Sequence, residues 1–233
     1  MLLVRPLNPD LKQKAEVELN ETPMKLEDGI KHLKEWISKQ PHLRARTDDQ
    51  WLAAFLRGCK HSLERAKEKL DLYYSLRTLS PDLFTFRPKN ERFQYLLRTG
   101  AYILQIKYLE DDAFMVNGCI HVIDLEGITM TYFMCDMYYV LNGPCIFQLH
   151  MHTRDLTVLH EYVPQEILPE EYGGQGGTKQ EIIDYWLKKL DQYGDWFDED
   201  LKFGTDESKR PGKPKTSESM FGVQGSFRRL DVD

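Results

Sequence analysis

His150 and His152 stand two residues apart, with His160 further along the chain. Imidazoles at i and i+2 of a strand share a face and suit zinc. A zinc site also needs a third and usually a fourth ligand at defined spacing, and no H-E-x-x-H motif is present. The ordinary reading is a pair of strand-end histidines held by hydrogen bonds or water. Asp124 and Glu126 would share one side of a continuing strand, an arrangement open to acid–base work. Acids in that position more often cap the turn that ends a parallel strand. Gly173-Gly-Gln-Gly-Gly-Thr-Lys179 has the glycine density of a phosphate loop. Its order is wrong, because Lys179 follows Thr178 and no strand leads into it. A turn before a capped helix explains it better, with weak anion capture at the helix start as the alternative. No G-x-S-x-G elbow occurs, and Cys59, Cys119, Cys135 and Cys145 have neither a C-x-x-C partner nor an activating context. The expectation is a chain that is not an enzyme and carries no catalytic residue, metal or cofactor.

Two features remain. Residues 130–139 hold Met130, Tyr132, Phe133, Met134, Met137, Tyr138 and Tyr139, a density of soft and aromatic side chains suited to a pocket for a large apolar ligand. The plain alternative is a core helix. Arg57, Lys60, His61 and Arg65 flank a helix–helix corner and could form a basic patch for a lipid headgroup phosphate. Its plain alternative is a solvated helix end.

The elements that would position these groups change character along the chain. Asn8-Pro9 and Thr22-Pro23 read as helix starts. The second opens a stripe of Leu26, Ile30, Leu33 and Ile37, closed by Gln40-Pro41. Thr47-Asp-Asp-Gln50 has the capping-box pattern before a helix stopping at Gly58, and Ser62 caps the next. Short links between these helices imply a compact subdomain. Phe114 to Ile123 is a nearly continuous β-favouring run, as in a strand buried on both faces of a parallel sheet. Cys145 to Met151 reads as a second strand and Asp155 to Tyr162 as a short helix. Thr178–Glu181 is a capping box opening a helix whose Ile182, Ile183, Trp186, Leu190, Tyr193 and Phe197 carry the apolar face. From Gly204 the expectation is an extended polar tail, tethered by Phe221 and Phe227.

The chain has 233 residues, a formal charge of −6 and 41% hydrophobic residues, enough to build a core but without the basic field nucleic acid requires. Mean hydropathy is −0.53. Residues 128–153 carry a single formal charge, Asp136, over the length of a membrane span. Asn142-Gly143-Pro144 interrupts them, so they read as buried soluble structure. The scattered cysteines and the short, proline-broken N-terminal apolar run point to a cytoplasmic protein without a signal peptide.

Taken together, these segments resemble the CRAL-TRIO family of lipid-transfer proteins, in its insect-type form. The resemblance is carried by DDQWLAAFLRGCKHSLERAKEKLDLYYSLR at 48–77, VNGCIHVIDLEGITM at 116–130 and LHMHTRDLTVLHEYVPQEILPEEYGG at 149–174. It implies an α/β fold: an N-terminal helical subdomain (1–88), a shortened lipid-binding domain with a mostly parallel sheet (89–177), a C-terminal helix (178–203) and the tail (204–233). It also implies a monomeric carrier for a retinoid, tocopherol-like or phospholipid molecule, associating peripherally with phosphoinositide membranes. The expected ligand-binding residues are Val122, Met130, Tyr132, Phe133, Met134, Met137 and Tyr138, and the expected phosphoinositide contacts are Arg57 and Lys60. Cys59 stands where relatives often carry arginine. Two family segments look absent, one between Leu104 and Leu109 and one around Tyr139 to Phe147. Losing roughly 200 Å² of apolar wall would forfeit on the order of 5 kcal/mol of ligand affinity. The competing expectation is therefore a regulatory or protein-interaction module whose lipid domain is vestigial.

Overall fold

The computed structural model describes residues 3–79, 102–122, 147–150, 159–161 and 163–216, and these are mostly helical. Helix α1 (Pro9–Glu18) begins where the Asn8 side chain accepts from the Leu11 amide. Helix α2 (Pro23–Ser38) begins where the Thr22 side chain accepts from the Lys25 amide. In both, proline occupies the first turn, where its missing N–H costs nothing and its fixed φ suits the helix. Leu26, Ile30, Leu33 and Ile37 bury the expected α2 stripe, and Gly29 lets Leu56 approach so closely that an added Cβ would sit 3.0 Å from it.

The box expected at Thr47–Gln50 does not form. Helix α3 (Asp49–Gly58) has Asp48 at its start with no side-chain cap bond. The polar groups nearby hold the N-terminal segment instead: Asp49 accepts from the Leu3 amide at 2.8 Å, and the Gln50 side chain accepts from the Arg5 amide at 2.9 Å. From Trp51 to Gly58 every residue of α3 is buried, which makes it the central rod of the fold. Trp51 meets Phe55 and Tyr73 at ring distances of 5.6 Å in edge-on geometry, and Trp196 from the far end of the chain at 6.0 Å. Helix α4 (Leu63–Leu79) supplies Tyr73 and Tyr74. Ser80 and Pro81 lie outside the described residues.

Helix α5 (102–110) buries Tyr102, Leu104, Gln105, Ile106 and Tyr108. The run from Phe114 to Ile123 is not one strand. Its first part belongs to helix α6 (Asp112–Asn117), because the Asp111 carboxylate accepts from the Phe114 amide at 2.9 Å and so caps a turn that the β-favouring side chains alone would not predict. Gly118 ends it at φ +75°, a conformation glycine adopts without strain. Strand β2 (Cys119–Val122) then pairs in parallel with β3 (Phe147–His150), Cys119 opposite Phe147 and Val122 opposite His150. Among the described residues the parallel sheet consists of these two strands.

The C-terminal helix is two helices, α7 (Lys179–Gln192) and α8 (Gly194–Asp200), meeting at Tyr193. The Thr178–Glu181 capping box is present in both directions. Of the expected apolar face, Leu190 and Phe197 are buried, whereas Ile182 is 37% and Ile183 49% exposed. The polar tail is docked rather than extended into solvent over 204–216. Strand β4 (Gly204–Thr205) pairs antiparallel with β1 (Leu43–Arg44), and the Asp206 amide donates to the His42 carbonyl at 2.7 Å. Charges account for the rest: Asp71 accepts from Arg210 at 2.8 Å and from Lys215 at 2.6 Å. Phe221 and Phe227 lie outside the described residues.

Candidate functional site

The helix corner between α3 and α4 is built by two consecutive residues in the left-handed region, Lys60 at φ +49° and His61 at φ +58°. The double turn leaves Lys60 at the surface and carries the His61 side chain inward to 1% exposure. There His61 Nε2 lies 3.0 Å from Glu21 Oε2. Arg57, 2% exposed, forks onto the same carboxylate, Nε donating at 2.9 Å and Nη2 at 3.0 Å. Its third nitrogen lies 3.3 Å from Asp112 Oδ1, and Asp112 is paired on its other oxygen with Arg5 at 2.6 Å. A buried guanidinium satisfied by two carboxylates has its partners within the protein. Of the two residues expected to meet a phosphoinositide, Lys60 is open to solvent and Arg57 is enclosed.

Burial alone would push the Glu21 carboxyl up; the hydrogen bonds from His61 and Arg57 overcome it and hold it at about 2. Asp71 is treated likewise: burial raises it, while Arg210, Lys215 and His42 bring it down to about 2. Both groups are therefore more acidic in the fold than in the unfolded chain. Their stabilisation is fully present above about pH 4.5 and is lost as pH falls toward 2. Thermal midpoints are expected to be flat from pH 7 to 5 and to fall steeply below. Glu21→Gln should remove part of that slope, and an unchanged slope would contradict the assignment.

Beside the corner lies a groove of about 420 Å³ between the start of α2 and the α3–α4 turn, with Met24, Lys25, His32 and Leu63 among its lining residues. Cys59 is buried, and that burial pushes its thiol above the usual range, which makes it an unreactive core side chain.

The glycine-rich loop is organised around Leu168. The Gly176 amide donates to the Leu168 carbonyl at 2.7 Å, the Gly174 amide to Pro169 at 3.0 Å and the Glu170 amide to Gly177 at 2.9 Å. The backbone is thus satisfied within the turn, as the turn-before-helix reading requires. An added Cβ on Gly174 would lie 2.1 Å from the Leu168 carbonyl oxygen. Gly174→Ala is expected to cost roughly 1–3 kcal/mol by displacing that turn, read as a lowered thermal midpoint. His160 belongs to the same structure, with Nε2 2.9 Å from the Tyr172 carbonyl and Nδ1 3.1 Å from the Gln165 amide nitrogen. His150 ends β3, and His152 lies outside the described residues. Among the described residues no cluster of His, Cys, Asp or Glu is arranged to hold a metal ion, and no helix is long and apolar enough to cross a membrane.

Val122 closes β2 opposite His150. Met130, Tyr132, Phe133, Met134, Met137, Tyr138, Asp124 and Glu126 lie outside the described residues. Sequence reasoning missed Glu21 and Asp112, the two carboxylates that define the corner. The available signal was Arg57 itself: a cation in the middle of the apolar run WLAAFLRG needs buried acids to meet it.

A compact helical unit joined to a parallel strand pair is the class of protein that this geometry defines. Residues 22–92 match the family model described as Pinta-like, UBA domain. The chain is similar to an alpha-tocopherol transfer protein-like protein of Mus musculus, 25% identical over 73% of this chain and 71% of the relative. Its likeness to the Homo sapiens protein of the same description is 24%, over 73% and 72%. Clavesin-2 of Homo sapiens is 22% identical over 89% of this chain and 85% of its own. These relatives support the CRAL-TRIO resemblance. No solved structure matches.

Proposed function

We propose that this chain is a CRAL-TRIO protein that binds a small hydrophobic ligand, a retinoid, tocopherol-like or phospholipid molecule, and transfers it within the cytoplasm at phosphoinositide-bearing membranes. The observation that carries the reading is the likeness to an alpha-tocopherol transfer protein-like protein across 73% of the chain. The parallel pairing of β2 with β3 supports it, since such pairs are normally covered on both faces. Ligand exchange requires burial and release, not proton or group transfer, so the function proposed is not that of an enzyme. In this proposal Val122, Met130, Tyr132, Phe133, Met134, Met137 and Tyr138 contact the ligand, and the domain that holds it has a mostly parallel sheet. The insect-type, shortened form of the domain is part of the proposal. The alignment to the Mus musculus relative, 245 positions against a chain of 233 residues, supports that shortened form.

At the membrane, Lys60 makes the phosphoinositide contact directly, and Arg57 takes part only if its fork to Glu21 opens. Lys60→Glu is expected to weaken flotation with phosphoinositide vesicles several-fold while leaving the thermal midpoint within about 1 °C, because a surface charge contributes little to stability. A second reading, a protein-interaction module, is favoured by the apolar side of α7, where Ile183 is 49% and Tyr185 57% exposed. Organic extraction of the purified protein followed by mass spectrometry separates the two: a carrier yields a stoichiometric lipid, and the interaction module yields none.

A further inference from the structure

A second buried charge cluster, sharing no residue with the corner, is the most heavily built among the described residues. Asp200 of α8 is 1% exposed and is clasped by two arginines from the N-terminal half. Arg46 Nε donates to Asp200 Oδ1 at 2.5 Å, and Arg77 Nη1 pairs with Oδ2 while its Nη2 donates to the Asp200 carbonyl at 3.1 Å. Arg46 also donates to the Trp196 carbonyl at 3.1 Å, and its guanidinium lies 4.2 Å from the Trp196 ring centroid and 4.8 Å from that of Phe203. The Tyr74 hydroxyl accepts from the Arg46 amide at 2.9 Å and from the Trp51 indole at 3.1 Å, tying the clasp to the central rod. The β1–β4 pairing and the Asp71–Arg210–Lys215 contacts repeat the same closure a few residues on.

Apart from the two bonds to Tyr74, these contacts join residues before 80 to residues after 190. We infer that the helical unit of 3–79 and 102–117, together with α8 and the docked 204–216 segment, is one cooperative body that holds itself closed without the intervening 123–158. The clasp is a conformational device: it keeps the two ends of the chain joined independently of the backbone that connects them. The principle is that of any non-covalent complex, in which a dry core and satisfied charges substitute for chain connectivity. Nothing in this inference depends on what the middle binds.

The test is a specific protease site inserted at Gly143-Pro144 in the full chain, cut after folding. The two fragments are expected to run as one species on size exclusion and to melt in a single transition within a few degrees of the uncut protein. Fragments that separate or precipitate overturn the proposal. Asp200→Asn in the nicked protein is expected to weaken fragment association about a hundredfold, whereas Lys31→Ala, at an exposed position of α2, leaves it unchanged. Equal association in both variants would assign the closure to something other than the clasp. Lipid content is read on the uncut protein: an uncut protein without lipid whose nicked form stays closed would refute the carrier reading and leave this one standing.

Discussion

Asp200→Ala is expected to lower stability by roughly 3–5 kcal/mol, which for a chain of this size is a fall of about 8–15 °C in thermal midpoint. The reasoning is asymmetric. The carboxylate accepts from two guanidiniums, one on each oxygen, and both arginines are at most 5% exposed. Its removal leaves two buried positive charges facing each other where an anion had separated them. Desolvation has already been incurred for Arg46 and Arg77, so deleting the partner exposes the whole cost. Trp196 loses its orientation at the same time, because the cation over its ring no longer has a fixed position. Asp200→Asn, which keeps the shape and one acceptor, should fall between wild type and alanine. A double change of Arg46 and Arg77 to Met with Asp200→Leu should recover much of the loss, since buried ion pairs are replaceable by well-packed apolar groups.

Arg57→Ala is expected to be similarly damaging, again roughly 3–5 kcal/mol, and for a separate set of contacts. Glu21 would keep only His61, and Asp112 would keep Arg5 and the Gln50 amide. The Glu21 carboxyl, no longer held down by the guanidinium fork, should rise, and the acid-induced loss of stability should begin at higher pH. Arg57→Lys would restore the charge without the two-pronged geometry and should recover only part of the loss. Differential scanning calorimetry at pH 7 and at pH 4 reads both effects. The two clusters are far enough apart in partners that their costs should add within about 0.5 kcal/mol. A strongly sub-additive double mutant would mean that the corner and the clasp share a cooperative element.

The helices were the legible part of the sequence because their signals are local. Asn8, Thr22 and Thr178 each announce a start, and the side chain in each case accepts from the amide three residues on. The α2 stripe followed from spacing alone. Where reading failed, the deciding partner was distant. Thr47–Gln50 looks like a capping box, but Asp49 holds the N-terminal segment and Lys34 instead. Phe114–Asn117 looks like strand, yet one aspartate preceding it sets a helix. Nothing local to the acidic run Asp195-Trp-Phe-Asp-Glu-Asp200 distinguishes its members. Its last residue is among the most buried charges in the molecule, because its partners stand more than a hundred positions earlier. The same reasoning applies to the tail: KRPGKPK is compositionally a flexible linker, but Asp71 gives two of its cations a common anchor.

At the corner the residue types were visible and their roles were not. Arg57, Lys60, His61 and Arg65 cluster in sequence as a basic patch, but the left-handed backbone at Lys60 and His61 sends one outward and the other to Glu21. No local pattern encodes that split. The membrane contact proposed here accordingly falls on the side chain that remains in solvent.

The carrier reading stands or falls on whether the folded chain encloses a guest. Native mass spectrometry of the 233-residue chain, purified without detergent from cells rich in retinoid, tocopherol and phospholipid, measures this directly. The account predicts a dominant species heavier than the polypeptide by one lipid, with the increment lost on collisional heating and its identity readable from the released ion. A well-folded protein that appears only at its bare polypeptide mass, before and after incubation with vesicles of those lipids, would contradict it.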